Sequence, residues 1–517
     1  MKSVMEHKFS DLPAINVPRS KFNRSHGLKT TFNAGDIIPI FYDEVYPADS
    51  VNLDLSSFAR LATPVKPIMD NLFIDYHFFE VPLYQVWNNF RKFQGEQDNP
   101  GDSVDFLVPT VDINGAGEGS LADYFALPIK TTATLNVSAL YFRAYQHIWN
   151  TWYRDENIQD SVTVDKDDGP DTLADYAIRK RGKRKDYFTS CLPWPQKGDA
   201  INLPLGTTAP VVSTDTDINF YNANDATVRT VRTDTAGNVS LATNPSALGS
   251  ARFGTDTGLE ADLTNATAAS INDIREAFQL QKVLEKDARN GSRYCEMVKG
   301  HFGVEFYDHP VRPRYLGGGT INVNINPVAQ QSETGTTPQG TMSAFGTASG
   351  DGIGFTASFN QHSIVMGMAS LRADLTYQQG VPRQFSRSIR EDYYLPSLAH
   401  LGEQEVLNQE IYFDSATPSN NSAVFGYQER YAELRYAPSR ITGGFRSNYA
   451  ASFDVWHLSQ EFGSLPSLND SFIQENPPMT RIKATSTDPD VIMDCYFTSI
   501  WARPMPMYSV PGFVDHF

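Results

Sequence analysis

The chain has 517 residues, and its 43 basic and 60 acidic side chains give a formal net charge of −17 at neutral pH. Hydrophobic residues make up 40% of the sequence and aromatic residues 12%, which supplies a sizeable core and excludes wholesale disorder. The acidic balance argues against a chain that is basic throughout, as free-standing nucleic-acid binders usually are. Local basic patches are still compatible with this charge balance.

The cysteines and the apolar runs bear on the compartment in which the chain folds. Cys191, Cys295 and Cys495 stand far apart and form no CxxC pair, which argues against a zinc ribbon or a secreted disulfide framework. We expect three reduced, packed thiols. The first residues lack the apolar run of a signal peptide, and no stretch is long and apolar enough to span a bilayer. The sequence therefore predicts a chain that folds in a reducing cytoplasm and is not embedded in a membrane.

Two segments differ in composition from the rest of the chain. Residues 1–30 are polar and locally basic and contain Pro13 and Pro18, which predicts an extended N-terminal arm that gains order only against a neighbour. Residues 200–270 hold three aromatic, seven acidic and three basic residues, which is too little apolar surface for the main core. We interpret this stretch as a polar surface insertion within a main domain that covers residues 31–517.

Strand patterns occur along most of the chain. They are runs of β-branched and aromatic residues bounded by Pro, Gly, Asn or Asp, and several of them alternate between apolar and polar side chains. These runs predict strands over residues 31–42, 71–81, 320–326, 362–377 and 491–503.

Helical patterns are fewer. A four-residue apolar repeat predicts a helix from a cap at Ser138 to about Arg154, a second pattern predicts one over residues 272–289 with a stop at Gly291, and a shorter helix is expected over 403–408. Because strand and helix patterns show no regular βαβ alternation, a doubly wound or barrel α/β enzyme is disfavoured. The sequence predicts a mainly β protein, an antiparallel sandwich with long insertions and a few α-helices.

The motifs of common catalytic and metal sites are missing. The glycine clusters at 316–320 and 350–354 lack the strand-then-helix context of a phosphate or dinucleotide loop and are interpreted as turns. The ten histidines form no HExxH or HxH pattern, and no GxSxG nucleophile elbow occurs. We therefore predict no catalytic residues, no metal site and no cofactor, and expect that the protein is not an enzyme.

One basic run opposes the acidic charge of the whole chain. Six cations fall within seven residues, a density that can neutralise phosphates without reading sequence. Tyr176, Tyr187 and Phe188 flank the run and could stack on unpaired bases. The alternatives are a solvated loop and a patch that pairs with acids of a neighbouring chain. The candidate nucleic-acid-binding residues are Arg179, Lys180, Arg181, Lys183, Arg184 and Lys185.

The many aromatic residues and prolines indicate that the chain assembles with other chains. The chain has 24 tyrosines, 32 phenylalanines and 31 prolines, which provide rigid anchors of the kind found in interfaces. Residues 503–517 are apolar and proline-rich, and we expect that they dock on their own subunit or on the next.

Several segments together resemble the major capsid proteins of gokushoviruses, small single-stranded DNA phages of the Microviridae. The likeness covers nearly the whole chain except the 200–270 insertion. The matching segments are 18–36, 142–150, 186–196, 373–380, 425–433, 456–460 and the terminus from 502 to 517.

The resemblance implies an eight-stranded antiparallel jelly roll with large inter-strand insertions, assembled as a T = 1 icosahedral shell around circular single-stranded DNA. It also implies that an insertion, for which 200–270 is the candidate, forms a protrusion at the threefold axis used for host attachment. The implied partners are other copies of the chain, a small basic DNA-associated protein, an internal scaffolding protein, a DNA pilot protein and a host cell-surface receptor. The implied location is the virion, after assembly in the host cytoplasm.

Two functions therefore compete at this point. The first is a structural shell protein, whose arms and loops hold neighbouring copies in closed symmetry. The second is a lectin-like carbohydrate-binding β-sandwich, which would bind glycans without any need of assembly. The full-length resemblance favours the shell protein.

Overall fold

The computed structural model describes residues 18–199, 201, the short strands between 211 and 261, 271–305, 307 and 310–508. Residues 1–17 of the expected arm, most of the 200–270 insertion and the terminal segment 509–517 lie outside the described residues. The chain divides into two compact units, Met1–Pro195 together with Ala288–Phe517, and Gln196–Asp287.

The fold is mainly β. In chain order, the strands are β1 (Ser20–Asn23), β2 (His26–Phe32), β3 (Ile38–Val45), β4 (Ser50–Leu61), β5 (Leu72–Pro82), β6 (Thr110–Asp112), β7 (Asn136–Ser138), β8 (Val211–Ser213), β9 (Phe220–Asn222), β10 (Val228–Arg229), β11 (Val231–Thr233), β12 (Val239–Leu241), β13 (Ala251–Phe253), β14 (Leu259–Ala261), β15 (Arg314–Asn322), β16 (Asn324–Ala329), β17 (Met342–Ser358), β18 (Ser363–Ala373), β19 (Glu403–Leu407), β20 (Val424–Glu429) and β21 (Val491–Arg503).

Helices are short, with one exception. They are α1 (Leu83–Val86), α2 (Phe90–Phe93), α3 (Leu121–Tyr124), α4 (Leu140–Ile148), α5 (Ile271–Asn290), α6 (Tyr294–Phe302), α7 (Asn408–Ile411) and α8 (Asp470–Ile473). A π-helical turn, Trp149–Tyr153, continues α4.

Two antiparallel sheets form the body of the first unit. The first sheet has the order β1-β21-β4-β17-β16. Strand β2 pairs with the same edge of β21 as β1 does, next to β1 along that edge. The second sheet has the order β15-β5-β18-β3. In the first sheet β21 lies between β2 and β4, so that Cys495 pairs with both Leu28 and Ser57.

The main core lies between these two sheets. Phe41 and Phe497 stand 5.3 Å apart across it, and the Tyr76 hydroxyl lies 2.6 Å from the Ser57 hydroxyl of the facing sheet. Because β4 and β21 alternate between buried and exposed residues, each sends one row of side chains into this core and one row outward.

A second layer covers the outer face of the β15-β5-β18-β3 sheet. Nearly every residue of β18 is buried, which means that both faces of this strand are covered. Helix α4 packs against it, because Phe142 and Ile148 of the helix join the same buried cluster as Ile364 and Met366 of β18. This layer comes from the long connection between β5 and β15.

Most predicted elements are confirmed. Strands β5, β18 and β21 match the predictions over 71–81, 362–377 and 491–503, and α5 matches the predicted helix over 272–289. Gly291 has φ +96°, as expected of a residue that ends a helix. The run at 31–42 holds the end of β2 and the start of β3, and the run at 320–326 passes from β15 in one sheet to β16 in the other.

Three expectations differ from the structure. Residues 403–407 form strand β19 rather than a helix, since they pair with β20. Residues 20–23 and 26–30, which belong to the expected arm, pair with β21 of the same chain. Ser138 lies in β7, and the residue that precedes α4 is Ala139.

The three cysteines are free and buried, as predicted. Burial raises the pKa of the Cys495 thiol to about 12. Among the described residues, no helix is long and apolar enough to cross a bilayer.

Candidate nucleic-acid interface

The basic run 179–185 is an extended segment held on both sides by backbone hydrogen bonds. On one side, Ile37 N–H donates to the Arg179 carbonyl at 2.9 Å and Arg181 N–H donates to the Gly35 carbonyl at 2.8 Å. On the other side, Lys183 N–H donates to the Ile473 carbonyl at 2.7 Å. The run is therefore built into the body of the first unit rather than being a solvated loop.

Gly35 shows how tightly these segments pack. Its φ is +83°, and a Cβ on it would stand 2.0 Å from the carbonyl oxygen of Glu475. Only glycine fits both the backbone conformation and the space.

Arg181 is the centre of a buried charge network. Its Nη1 lies 2.6 Å from Asp75 Oδ2 and 3.0 Å from the Ser370 hydroxyl. Arg372 and Thr320 also donate to Asp75, at 2.8 and 2.6 Å. Burial alone would raise the pKa of Asp75, but the Arg181 guanidinium and its companions hold it below its usual value. This arginine ties the run to the second sheet and is not available to a phosphate.

Lys183 is buried without a carboxylate partner in the described part of the chain. Its side chain is 8% exposed, and its Nζ donates to Gln460 Oε1 at 3.0 Å and stands 4.4 Å from the Phe472 ring centre. Burial lowers the pKa of Lys183 to about 8. The residue lines an open cavity of about 590 Å³ together with Gln460, Asn469 and Gln474.

Three further cations pair with acids of the same chain. Lys180 Nζ lies 3.1 Å from Asp36 Oδ1, and Lys185 pairs with Asp155. Arg184 stands 4.0 Å from Asp374, and its side chain remains 68% exposed. These pairs lie within one chain.

Arg179 completes the run. Its guanidinium donates to the Asp175 carbonyl at 3.4 Å and stands 5.9 Å from the Trp149 ring centre. Arg184 and, to a lesser degree, Lys185 are thus the members of the run whose charged groups remain most exposed to solvent.

The flanking aromatic residues cannot take the stacking role considered for them. Tyr176, Tyr187 and Phe188 are 5%, 6% and 4% exposed. The Tyr187 hydroxyl donates to Glu410 at 2.8 Å, and Phe188 packs edge-on against Tyr377 at 5.0 Å. These rings pack inside the protein and expose little surface on which a nucleobase could stack.

One buried ion pair was not anticipated from the sequence. Arg143 of α4 is fully buried and forms two hydrogen bonds to the Asp171 carboxylate, at 2.7 and 2.5 Å. It also donates to the carbonyls of Val86 and Asp167, at 3.1 and 2.8 Å. The sequence does contain a signal for this pair, which is an arginine on the apolar face of a predicted helix. A buried arginine is almost always paired.

Within the described ranges, no group of three His, Cys, Asp or Glu side chains could hold a metal ion. The basic run 179–185 links three parts of the first unit. It contacts the second sheet, the segment before β3 and the chain around α8. It stabilises the body of the protein and leaves a small exposed cationic edge at 184–185.

Comparison with known proteins matches nearly the whole chain to phage capsid proteins. The family model for capsid protein (F protein) matches residues 10–513. Capsid protein VP1 of Bdellovibrio phage phiMH2K is 44% identical over 532 residues, covering 99% of this chain and 98% of the relative. Capsid protein VP1 of Chlamydia phage 1 is 41% identical, covering 99% and 98%.

A third relative is more distant. Capsid protein VP1 of Spiroplasma virus 4 is 35% identical over 541 residues, covering 98% of this chain and 97% of the relative. These matches confirm the resemblance to gokushovirus capsid proteins, and the chain belongs to the capsid protein (F protein) family of phages.

Proposed function

We propose that this capsid protein assembles as a T = 1 icosahedral shell around a circular single-stranded DNA genome. The observation that carries the proposal is the family match over residues 10–513, on a chain whose body is an antiparallel sandwich with long inserted connections. Closed shells repeat the same contacts between identical subunits, and extended connections supply those contacts.

The strand order supports a jelly roll. If β1 with β2, and β15 with β16, are each taken as one strand, eight long strands follow one another along the first unit. The first sheet then has the order first, eighth, third, sixth, with the β16 half of the fifth strand at its edge. The second has the order fifth, fourth, seventh, second, and its fifth strand is the β15 half. Strands that alternate between two sheets in this way form the paired Greek keys of a jelly roll.

Electron microscopy of the expressed chain tests the shell. We expect uniform closed particles or pentamers, with or without a co-expressed scaffolding protein. Particle diameter and symmetry then decide between T = 1 and larger shells. A folded product that stays monomeric under all assembly conditions would contradict the proposal.

The exposed edge of the basic run is our proposed contact with packaged DNA. Arg184 carries it, with Lys185 beside it, because Lys183 is buried and Arg181, whose side chain is 14% exposed, is held by Asp75. Arg184→Glu should leave the melting temperature unchanged and lower the DNA content per particle. It should also reduce the salt dependence of oligonucleotide binding.

The matched control is Lys92→Glu, a charge reversal at a lysine whose side chain is 40% exposed and which lies outside the run. Normal DNA content and an unchanged salt dependence in the Arg184 variant would remove the DNA role of this edge.

The remaining partners are also proposals. The net charge of −17 is workable around DNA if a small basic protein carries most of the phosphate neutralisation. An internal scaffolding protein and a DNA pilot protein would act during assembly in the host cytoplasm. The unit Gln196–Asp287, which contains the 200–270 insertion, would form the threefold protrusion that attaches to a host receptor.

A further inference from the structure

The connection between β18 and β21, residues 374–490, carries an unusual set of exposed side chains. Six large apolar or aromatic residues that lie close together in it have between 41% and 73% of their surface exposed. We call them the aromatic patch: Phe385, Ile389, Tyr393, Tyr394, Leu434 and Tyr436.

Hydrogen bonds, ring contacts and an ion pair join the two segments that contribute to this patch. The Tyr431 hydroxyl donates to the carbonyls of Glu391 and Tyr393, each at 3.2 Å, and its ring packs against Tyr394 at 5.2 Å. Arg387 stacks on the Tyr393 ring at 5.4 Å and pairs with Glu433 at 3.1 Å. Segments 383–394 and 431–436 therefore form one surface.

A recess of about 160 Å³ opens beside the patch. Tyr187, Phe188 and Tyr377 line it, and Leu434 and Tyr436 of the patch also border it. A cavity of about 150 Å³ is enough for a benzene ring, so the recess has room for one aromatic or branched apolar side chain.

The charged groups of the recess wall are mostly paired already. Arg383 donates to Glu410 at 2.9 Å, and the Tyr187 hydroxyl donates to the other oxygen of the same carboxylate at 2.8 Å. Within the described part of the chain, Arg387 Nε and Glu433 Oε2 are buried and have no hydrogen-bond partner. The wall thus offers mainly apolar contact to an incoming surface.

Composition decides which occupant fits. Residues 374–490 contain eight arginines but one lysine, and Phe and Tyr are frequent. Interfaces between proteins are enriched in Tyr, Phe and Arg and depleted in Lys. The same segment holds fifteen acidic residues against nine basic ones, a balance that disfavours nucleic acid.

We infer that the aromatic patch and its recess form an interface with a second copy of this chain, in which an apolar side chain of the neighbour enters the recess. The inference rests on the proposed shell assembly. A shell protein meets mainly copies of itself, and an exposed apolar surface of this extent marks an interaction site.

Two measurements test this interface. The first is Phe385→Asp, at a residue that is 73% exposed and so should tolerate the change in the isolated subunit. We expect an unchanged melting temperature and a fall in particle yield of about tenfold or more, because a few large aromatic side chains carry most of the energy of an interface. Phe385→Leu should restore assembly, and Phe302→Asp, at a residue that is 74% exposed and lies outside the patch, is the matched control.

The second measurement is hydrogen exchange of the complete chain, compared between assembled particles and unassembled subunits. Segments 383–394 and 431–436 should become protected on assembly. Protection already present in the unassembled subunit would mean that another segment of the same chain covers the patch, and would overturn the inference. Particles of normal yield from Phe385→Asp, with no protection in wild-type particles, would also overturn it.

These outcomes are distinct from failure of the proposed function. If the wild-type chain forms no shell, the shell proposal fails before any variant is compared. If wild-type shells form and the patch stays exposed in them, only the assignment of this interface fails.

Discussion

The two sheets of the sandwich differ in how many of their faces are covered. The β15-β5-β18-β3 sheet packs against the other sheet on one side and against the α4 layer on the other, so that β18 is buried almost throughout. In the part of the chain that the structure describes, the first sheet has one covered face, and its outward row includes Phe58 and Ile492, which are 52% and 55% exposed. The position of a strand in the architecture therefore decides how much an apolar side chain on it contributes to stability.

The largest expected effect comes from the layer that only the second sheet has. Arg143→Ala removes the fully buried guanidinium and leaves the Asp171 carboxylate, which is 1% exposed, without its partner. Breaking a buried pair in this way lowers the free energy of unfolding by about 3–5 kcal/mol. Urea unfolding of the unassembled subunit measures the change.

The control for that variant lies on the exposed face of the first sheet. Lys29 and Asp494 stand 3.4 Å apart with side chains that are 82% and 55% exposed. Lys29→Ala should lower stability by less than about 1 kcal/mol. Equal effects of the two substitutions would mean that the α4 layer is not packed as described.

A matched pair of isoleucines tests the comparison directly. Ile364 of β18 and Ile492 of β21 both point away from the core between the sheets, and they are 0% and 55% exposed. Ile364→Ala should lower the free energy of unfolding by about 2–5 kcal/mol, because it leaves a cavity against α4. Ile492→Ala should change it by less than about 0.5 kcal/mol. If the two stability changes differed by less than about 1 kcal/mol, the outer face of β18 would not be covered as described.

The smallest effect concerns Lys183, where the run meets the chain around α8. Its pKa is about 8 in the folded protein against 10.5 for an ordinary lysine, so folding disfavours its charged form. This destabilisation is complete below pH 8 and disappears as the pH rises towards 10.5. Lys183→Met should raise the free energy of unfolding at pH 7 by about 1 kcal/mol or more.

The pH dependence gives that prediction its sharpest check. Between pH 8 and 10.5, the wild type should gain stability relative to the Lys183→Met variant, measured as the difference of their melting temperatures. Lys92→Met, at a side chain that is 40% exposed, should show no such convergence with the wild type. A constant difference across this pH range would show that Lys183 titrates as an ordinary lysine.

Elements with strong local patterns could be predicted from the sequence. Strand β21 alternates between buried and exposed residues along 13 residues, and its predicted bounds agree with the observed ones. Strand β18 is mostly apolar, with Ser363, Ser370 and Arg372 as its polar residues, and such a composition is typical of a strand covered on both faces. Residues 403–407 are a helix by local pattern but form a strand, because pairing with the distant β20 outweighs local preference.

The candidate site shows where sequence reasoning ends. The density of cations at 179–185 is visible in the sequence, but their partners Asp36, Asp75 and Asp155 are remote from one another along the chain. Their meeting with the run depends on the sandwich being formed. The sequence could therefore predict a cationic segment, but not that most of its charge is neutralised within the same subunit.

The place of β21 in the first sheet has a consequence for synthesis. Its partner β4 ends at Leu61, and β21 begins at Val491, so the ribosome must make roughly 430 residues between them, on the order of tens of seconds of translation. During that interval β2 and β4 expose unpaired edges that invite pairing with other nascent chains. Production of this protein in quantity should therefore depend on holding those edges apart, and slower growth at lower temperature or added chaperone should raise the soluble yield.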